Sequence, residues 1–264
     1  MDREGLISNA VSALRQKGFS CEAFAGNNCF DIIGQNASEV LVVKVYDNID
    51  SIRKEQAEEM KKLAALLGAE CIILGERTKV FSLENDAAYF RYDIPAVNMA
   101  TFRKMLDSKM PRIMQFKGKQ TVDMDSEGMH RKRLGLGLSA EDLAERIGVT
   151  PESIYRFEKG SGASLETALR IEKELREKLI SEAGIFKGIK KEAFARERPE
   201  EKAFEKMQDI GMEMFLFSHS PFRAYGSAEK GIFVGTGKGK ADMPKKAFEL
   251  SKTSAVIGKD SIII

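Results

Sequence analysis

The feature that most constrains this chain is the run from Leu138 to Gly160, where each position with a steric demand holds a residue that meets it. Ser139 is of N-cap type, and Asp142 three residues on completes a capping box. Leu143 and Ile147 lie one helical turn apart on the same face. Ala144 is small enough for a second helix to cross close by. Gly148 stands where a tight turn needs a left-handed backbone, and Val149 plugs that turn into the core. Thr150 is placed to cap a second helix, with Pro151 at its first position, where a missing N–H does no harm. Ile154 and Phe157 are the buried positions of that helix. Counted from Gly148, apolar residues fall at −5, −1, +1, +6 and +9, with alanine at −4. The pattern predicts two short helices crossing steeply about a tight turn.

These residues resemble the helix-turn-helix of the phage-repressor (Cro-type, XRE) family. Leu165–Ile171, with Ser164 as its cap, resembles that family's next helix. The match runs from about Met129 to Leu175, under a fifth of the chain. An α/β domain ahead of it and a turn-strand lead-in at Lys117-Gly118-Lys119 resemble the layout of a group of archaeal Cro-type regulators. One departure is Gly135-Leu136-Gly137 after Met129–Leu134, where the family keeps helix up to a single glycine, so a short first helix is expected.

The resemblance implies that Pro151–Lys159 lies in the major groove of double-stranded DNA. Thr150, Glu152, Ser153, Tyr155 and Arg156 would then face base edges. Arg156 is suited to a bidentate contact with guanine, and Glu152 to accepting from a cytosine amine. Ser139 and Ala140 open the preceding helix, whose free N–H groups suit a phosphate. Tyr155 and Lys159 would add phosphate contacts, and Arg131, Lys132 and Arg133 local positive charge. Family members bind as two-fold dimers, so a homodimer on half-sites about one helical turn apart is expected. A helical hairpin used only for protein contact is the alternative.

The flanks carry less. Forty-two basic residues against 40 acidic ones leave a net charge of +2, so composition alone does not point to nucleic acid. The locally basic stretch Arg103–Lys119 reads either as a phosphate contact or as a solvated linker. No apolar run is long enough to span a membrane, and no apolar segment follows the first residues, so a cytoplasmic protein is expected. Cys21, Cys29 and Cys71 are odd in number and form no CxxC pair. Neither a disulfide framework nor a zinc site is expected, and the cysteines read as small buried hydrophobes.

The expected architecture is multidomain. Residues 1–110 read as an α/β domain, with helices near Leu6–Lys17, Ser51–Leu67 and Asn98–Leu106. Its strands are expected at Cys21–Phe24, Phe30–Ile33, Val40–Tyr46, Cys71–Leu74, Val80–Leu83 and Tyr89–Tyr92. Residues 111–125 read as a linker, 126–198 as the all-α, lambda-repressor-like helix-turn-helix domain, and 199–264 as a small α/β domain. That last block resembles a degenerate repeat of the first. Phe222, Ile232–Val234, the helix Met243–Lys252 and Ala255–Ile257 follow the order of Phe30, Val40–Val43, the charged helix and Cys71–Leu74.

In the first block, Asp31 and then Val42-Val43-Lys44 resemble the restriction-endonuclease-like fold, whose active members hold a divalent metal with an Asp and an acid-x-Lys strand. Here Val42 occupies the place of the second acid, although Glu22 and Glu55 are close in sequence. An inactive nuclease-like fold is therefore expected, with no catalytic residue, metal or cofactor. A metal-dependent nuclease and a non-DNA adaptor are the rival readings. His130 is expected to face solvent or a phosphate. His219 reads as part of a turn, and Gly235–Lys240 as a turn that lacks P-loop spacing.

Overall fold

The computed structural model describes residues 2–116, 119–186, 194, 202–209, 211–227, 231–236 and 243–264. In chain order the elements begin with α1 (Arg3–Gln16), β1 (Ser20–Ala23), β2 (Ile32–Gln35), β3 (Val40–Val45), α2 (Lys54–Leu67) and β4 (Glu70–Leu74). Next come β5 (Ala87–Arg91), β6 (Ile94–Val97), α3 (Met99–Leu106), β7 (Ile113–Phe116) and β8 (Lys119–Val122). Helices α4 (Ser126–Gly135), α5 (Ala140–Ile147) and α6 (Pro151–Glu158) follow, then the two-residue β9 (Ala163–Ser164) and α7 (Leu165–Leu175). The chain continues with α8 (Lys202–Asp209), β10 (Glu213–Leu216), β11 (Ala224–Ser227), β12 (Ile232–Gly235), α9 (Met243–Ile257) and β13 (Asp260–Ile263).

These elements fall into two compact units. One holds Met1–Ser82, Arg91–Met99 and Gly188–Ile264, and the other Leu83–Phe90 and Ala100–Lys187.

In the first unit, α1 forms because Leu6, Ala10, Ala13 and Leu14 make one buried stripe and Asp2 caps the helix by accepting from the Gly5 N–H. Strands β1, β2 and β3 pair antiparallel, and β4 joins β3 in parallel after the α2 crossover. Strand β3 is central and buried from Leu41 to Val45, which accounts for its near-continuous apolar run. Gly68, at φ 61°, supplies the left-handed end of α2. A second sheet runs β10-β11-β12-β13, with two antiparallel pairings and a parallel one after the α9 crossover. Helix α9 lies on β1 and β2. The described part of 199–264, expected to stand as its own domain, therefore packs into the unit formed by the N-terminal block.

Two further expectations for the N-terminal block change. Val80–Leu83 is not a strand. Thr78 Oγ1 accepts from the Val80 and Phe81 N–H groups, closing a turn that leaves Val80 87% exposed. Ile94–Val97 is one, pairing in parallel with β4 despite Pro95.

In the second unit, α4 to α7 enclose Met129, Leu143, Ile147, Ile154, Phe157, Ala168, Ile171 and Leu175. Residues 111–125, expected as a linker, instead carry β7 and β8, and β8 pairs on to β9. The reason is burial: Val122 is fully enclosed in the same core as the helices. Arg112, Lys117 and Lys119 in the same segment disguise that role in the sequence. Helix α4 starts at Ser126, capped by Asp125, and so is longer than the Met129–Leu134 read from the pattern.

Candidate nucleic-acid interface

The crossing of α5 and α6 is set by its caps. Ser139 Oγ accepts from the Asp142 N–H at 3.0 Å, and Asp142 accepts from the Ser139 N–H at 2.8 Å. Hydrogen bonding to the carboxylate from Ser139, its side chain first and then its backbone N–H, holds the Asp142 carboxyl below the usual carboxylate range. Gly148 ends α5 at φ 70° and ψ 46°, and the Val149 N–H returns to the Ala144 carbonyl at 3.0 Å. Thr150 caps α6, with Pro151 in its first turn. Leu143, Ala144, Ile147, Ile154 and Phe157 are buried, as their spacing predicts. Replacing Ser139 by alanine is expected to cost the unit about 1 kcal/mol, read as a lower denaturant midpoint at unchanged slope.

With that face anchored, the other face of α6 is open. Thr150, Glu152, Tyr155, Arg156 and Lys159 are exposed, and Pro151 and Ser153 are half-buried. Tyr155 reaches Glu141 across the helix pair at 3.5 Å. Hydrogen bonds from its own backbone N–H and then from Thr150 keep the Glu152 carboxyl low, so it is charged at neutral pH. The side chains of Arg131, Arg156 and Lys159 are exposed and have no hydrogen-bond or ion-pair partner among the described residues. Ala140 differs, because its methyl is buried and any contact it makes runs through its backbone N–H.

Arg133 is a correction. Only 5% of it is exposed. Its Nε donates to Glu158 Oε1 at 2.7 Å, one terminal nitrogen to Glu158 Oε2 at 3.0 Å, and the other to the Leu138 carbonyl at 2.8 Å. It ties α4 to the end of α6 and to the residue ahead of the α5 cap, and its burial turns the guanidinium inward, away from a phosphate. His130 joins the same group, its Nδ1 lying 2.8 Å from Glu158 Oε2 with the ring half exposed. Glu158 is the residue the sequence reading missed. It sits 25 positions from Arg133, and no local pattern marks such a pair.

In the other unit, Asp31 and Lys44 do meet, with Lys44 Nζ 3.1 Å from Asp31 Oδ1, and both are buried. The same oxygen takes Arg3 at 2.6 Å, and Oδ2 accepts from the Val45 N–H at 2.7 Å. Lys44 also donates to the Asn28 carbonyl at 2.6 Å. Burial lowers the Lys44 pKa, while Asp31 acts in the opposite direction. These residues do not fit a divalent metal. Both Asp31 oxygens are occupied by cations and a backbone donor, Val42 brings no ligand, and Glu22 is paired with Lys252 at 2.9 Å. No group of three or more His, Cys, Asp or Glu that could hold a metal occurs among the described residues.

Residues 3–111 match the PD-(D/E)XK superfamily domain, and residues 129–180 match the helix-turn-helix domain. A protein of Archaeoglobus fulgidus named "Putative HTH-type transcriptional regulatory protein" is 31% identical over 265 residues, covering 98% of this chain and 86% of its own. The chain belongs to this archaeal family of HTH-type transcriptional regulators. Its similarity to the Pyrococcus abyssi member is 31% identity over the whole chain and 87% of that protein. The Thermococcus gammatolerans member is 32% identical over 90% of this chain and 77% of its own length. The resemblance read from Met129–Leu175 and the nuclease-like layout read from Asp31 and Lys44 both hold for this regulator. No helix among its described residues is long and apolar enough to cross a membrane.

Proposed function

We propose that this protein is a sequence-specific regulator that binds operator DNA as a homodimer, with α6 in the major groove. The observation that carries the reading is the contrast along α6. One face is pinned by Ile154 and Phe157, while Arg156, Glu152, Thr150 and Lys159 stand open on the other. Arg156 reads a guanine, and Glu152 a cytosine amine. The Ala140 N–H, with Arg131, Tyr155 and Lys159, holds phosphates, while the Ser139 N–H is taken by Asp142 and Ser139 acts by fixing that helix end. Regulation follows by occupancy, in the cytoplasm and without a cofactor.

Binding measured against salt tests this assignment. Lys159→Ala is expected to weaken binding to all duplexes alike and to reduce the log–log salt slope by about one. An unchanged slope would remove Lys159 from the phosphate contacts.

The nuclease-like domain, on this reading, is a scaffold and not an enzyme. The Arg3–Asp31–Lys44 group neutralises the one acid a metal would need. Incubating the protein with duplex or branched DNA and magnesium or manganese is expected to give no cleavage. Cleavage abolished by both Asp31→Ala and Lys44→Ala would overturn this.

Residues 202–264 are further read as a second, degenerate copy of residues 3–74. Both run helix, three antiparallel strands, helix, parallel strand, with matching spatial order. Both first helices are followed by a left-handed glycine, Gly18 and Gly211, and both crossover helices by another, Gly68 and Gly258. Each second strand carries a glycine in close packing: Gly34 against Phe19 and Cys21, Gly226 against Met212 and Met214. The strand registers place Cys21 beside Gly34 and Met214 beside Gly226, so the two sets coincide.

A further inference from the structure

Resting on that duplication, the register assigns partners between the copies. Val43 corresponds to Val234 and Glu70 to Asp260. Between the first two strands, Phe24 corresponds to Phe217 and Phe30 to Phe222. Backbone bonds support this. Phe24 N–H donates to the Asp31 carbonyl and Phe217 N–H to that of Arg223, both at 2.9 Å. Asp31 N–H donates to Val43 and Arg223 N–H to Val234, both at 2.8 Å.

The aromatic rings repeat as closely. Phe24 meets Phe30 edge-on with centroids 5.3 Å apart and planes at 73°. Phe217 meets Phe222 edge-on at 5.1 Å and 76°. The two inner rings, Phe30 and Phe222, then face each other at 6.5 Å. A residue that meets its own counterpart marks a two-fold axis, and the contacts around such an axis are reciprocal.

Two flanking hydrogen bonds follow that rule, although α9 covers β1 and β2 more broadly than α2 covers β10 and β11. Lys62 and Lys252 each stand six residues before the terminal glycine of their crossover helix. Lys62 donates to the Leu216 carbonyl on β10 at 2.6 Å, and Lys252 to Glu22 on β1 at 2.9 Å. Each crossover helix thus reaches the first strand of the other copy.

We propose that the two copies form an intramolecular dimer about a local two-fold between Phe30 and Phe222, so that the partner of this face is the chain's own second copy. Asp31 and Lys44 correspond to Arg223 and Gly235 in that copy, which carries neither residue of the nuclease-like pair. Its role is pairing. The face through which one such fold would meet another chain is closed from within, and two-fold pairing of whole chains uses other surfaces.

The test is to place a specific protease site between residues 187 and 201 of the full chain, cut the folded protein, and follow release of the C-terminal fragment by gel filtration over a dilution series. The fragments are expected to stay together at micromolar concentration. Phe30→Ala and Phe222→Ala should each weaken association about tenfold or more. Because both rings also fill their own copy's core, a charge swap supplies an independent arm. Glu22→Lys or Lys252→Glu alone should weaken association several-fold, and the two together should restore it. Release of the wild-type fragment, or a charge swap without rescue, would overturn the pairing. Either result would leave the duplicated strand order standing, since that rests on registers within each sheet.

Discussion

Replacing Glu158 by alanine is expected to destabilise the helical unit by about 3–5 kcal/mol, because it leaves the Arg133 guanidinium buried and unpaired. Both side chains are under a tenth exposed, and they share two hydrogen bonds. Chemical denaturation of the wild type and Glu158→Ala, followed by a probe in this unit, checks the value. Arg133→Met combined with Glu158→Leu should recover much of the loss, since the cost lies in the orphaned charge. The pair also sets a pH dependence. Burial opposes charge on Glu158, but hydrogen bonds from Arg133 and His130 outweigh it and leave the carboxyl below its ordinary range. A lowered carboxyl pKa contributes stability that is complete above the unfolded value and is lost as pH falls through the folded one. The wild-type unit should therefore lose stability on acidification below the ordinary carboxylate range, and Glu158→Ala should lose that part of the slope. A stable Glu158→Ala protein with weakened DNA binding would return Arg133 to the DNA surface.

Arg156→Ala is expected to act in the opposite way, leaving the unfolding midpoint unchanged and lowering affinity for the preferred operator by roughly 1–3 kcal/mol. That corresponds to about five- to 150-fold, with binding to unrelated duplexes changed far less. Fluorescence anisotropy on both kinds of duplex at fixed salt separates the two effects. Equal losses on both would reduce Arg156 to a phosphate contact. The contrast with Arg133 comes from burial: two arginines in one helical unit, one spent on an internal carboxylate and one facing solvent.

Local features of the fold were legible in the sequence. Ser139, Asp142, Gly148, Thr150 and Pro151 act on neighbours within a few residues, so their roles follow from spacing alone. The buried stripe of Leu143, Ile147, Ile154 and Phe157 follows from helical periodicity for the same reason. Long-range pairs were not legible. Arg133 looked like one of a basic triplet, and only the fold brings Glu158 to it. Asp31 was recognised by its distance from Lys44, but Arg3, the second cation on the same carboxylate, lies far from both in the chain. The hairpin at β7 and β8 was hidden because its burial depends on helices that come later. Of the Gly235–Lys240 turn, residues 237–240 lie outside the described residues, as do Lys117 and Gly118 of the Lys117-Gly118-Lys119 turn.

Whether α6 reads DNA sequence is decided by selecting bound duplexes from a random pool at about physiological salt, with Arg156→Ala and Glu152→Ala in parallel. The expected result is a two-fold symmetric consensus with half-sites about one helical turn apart, relaxed at the guanine position by Arg156→Ala and at the cytosine position by Glu152→Ala. No enrichment over non-specific binding, or a consensus indifferent to both substitutions, would contradict it.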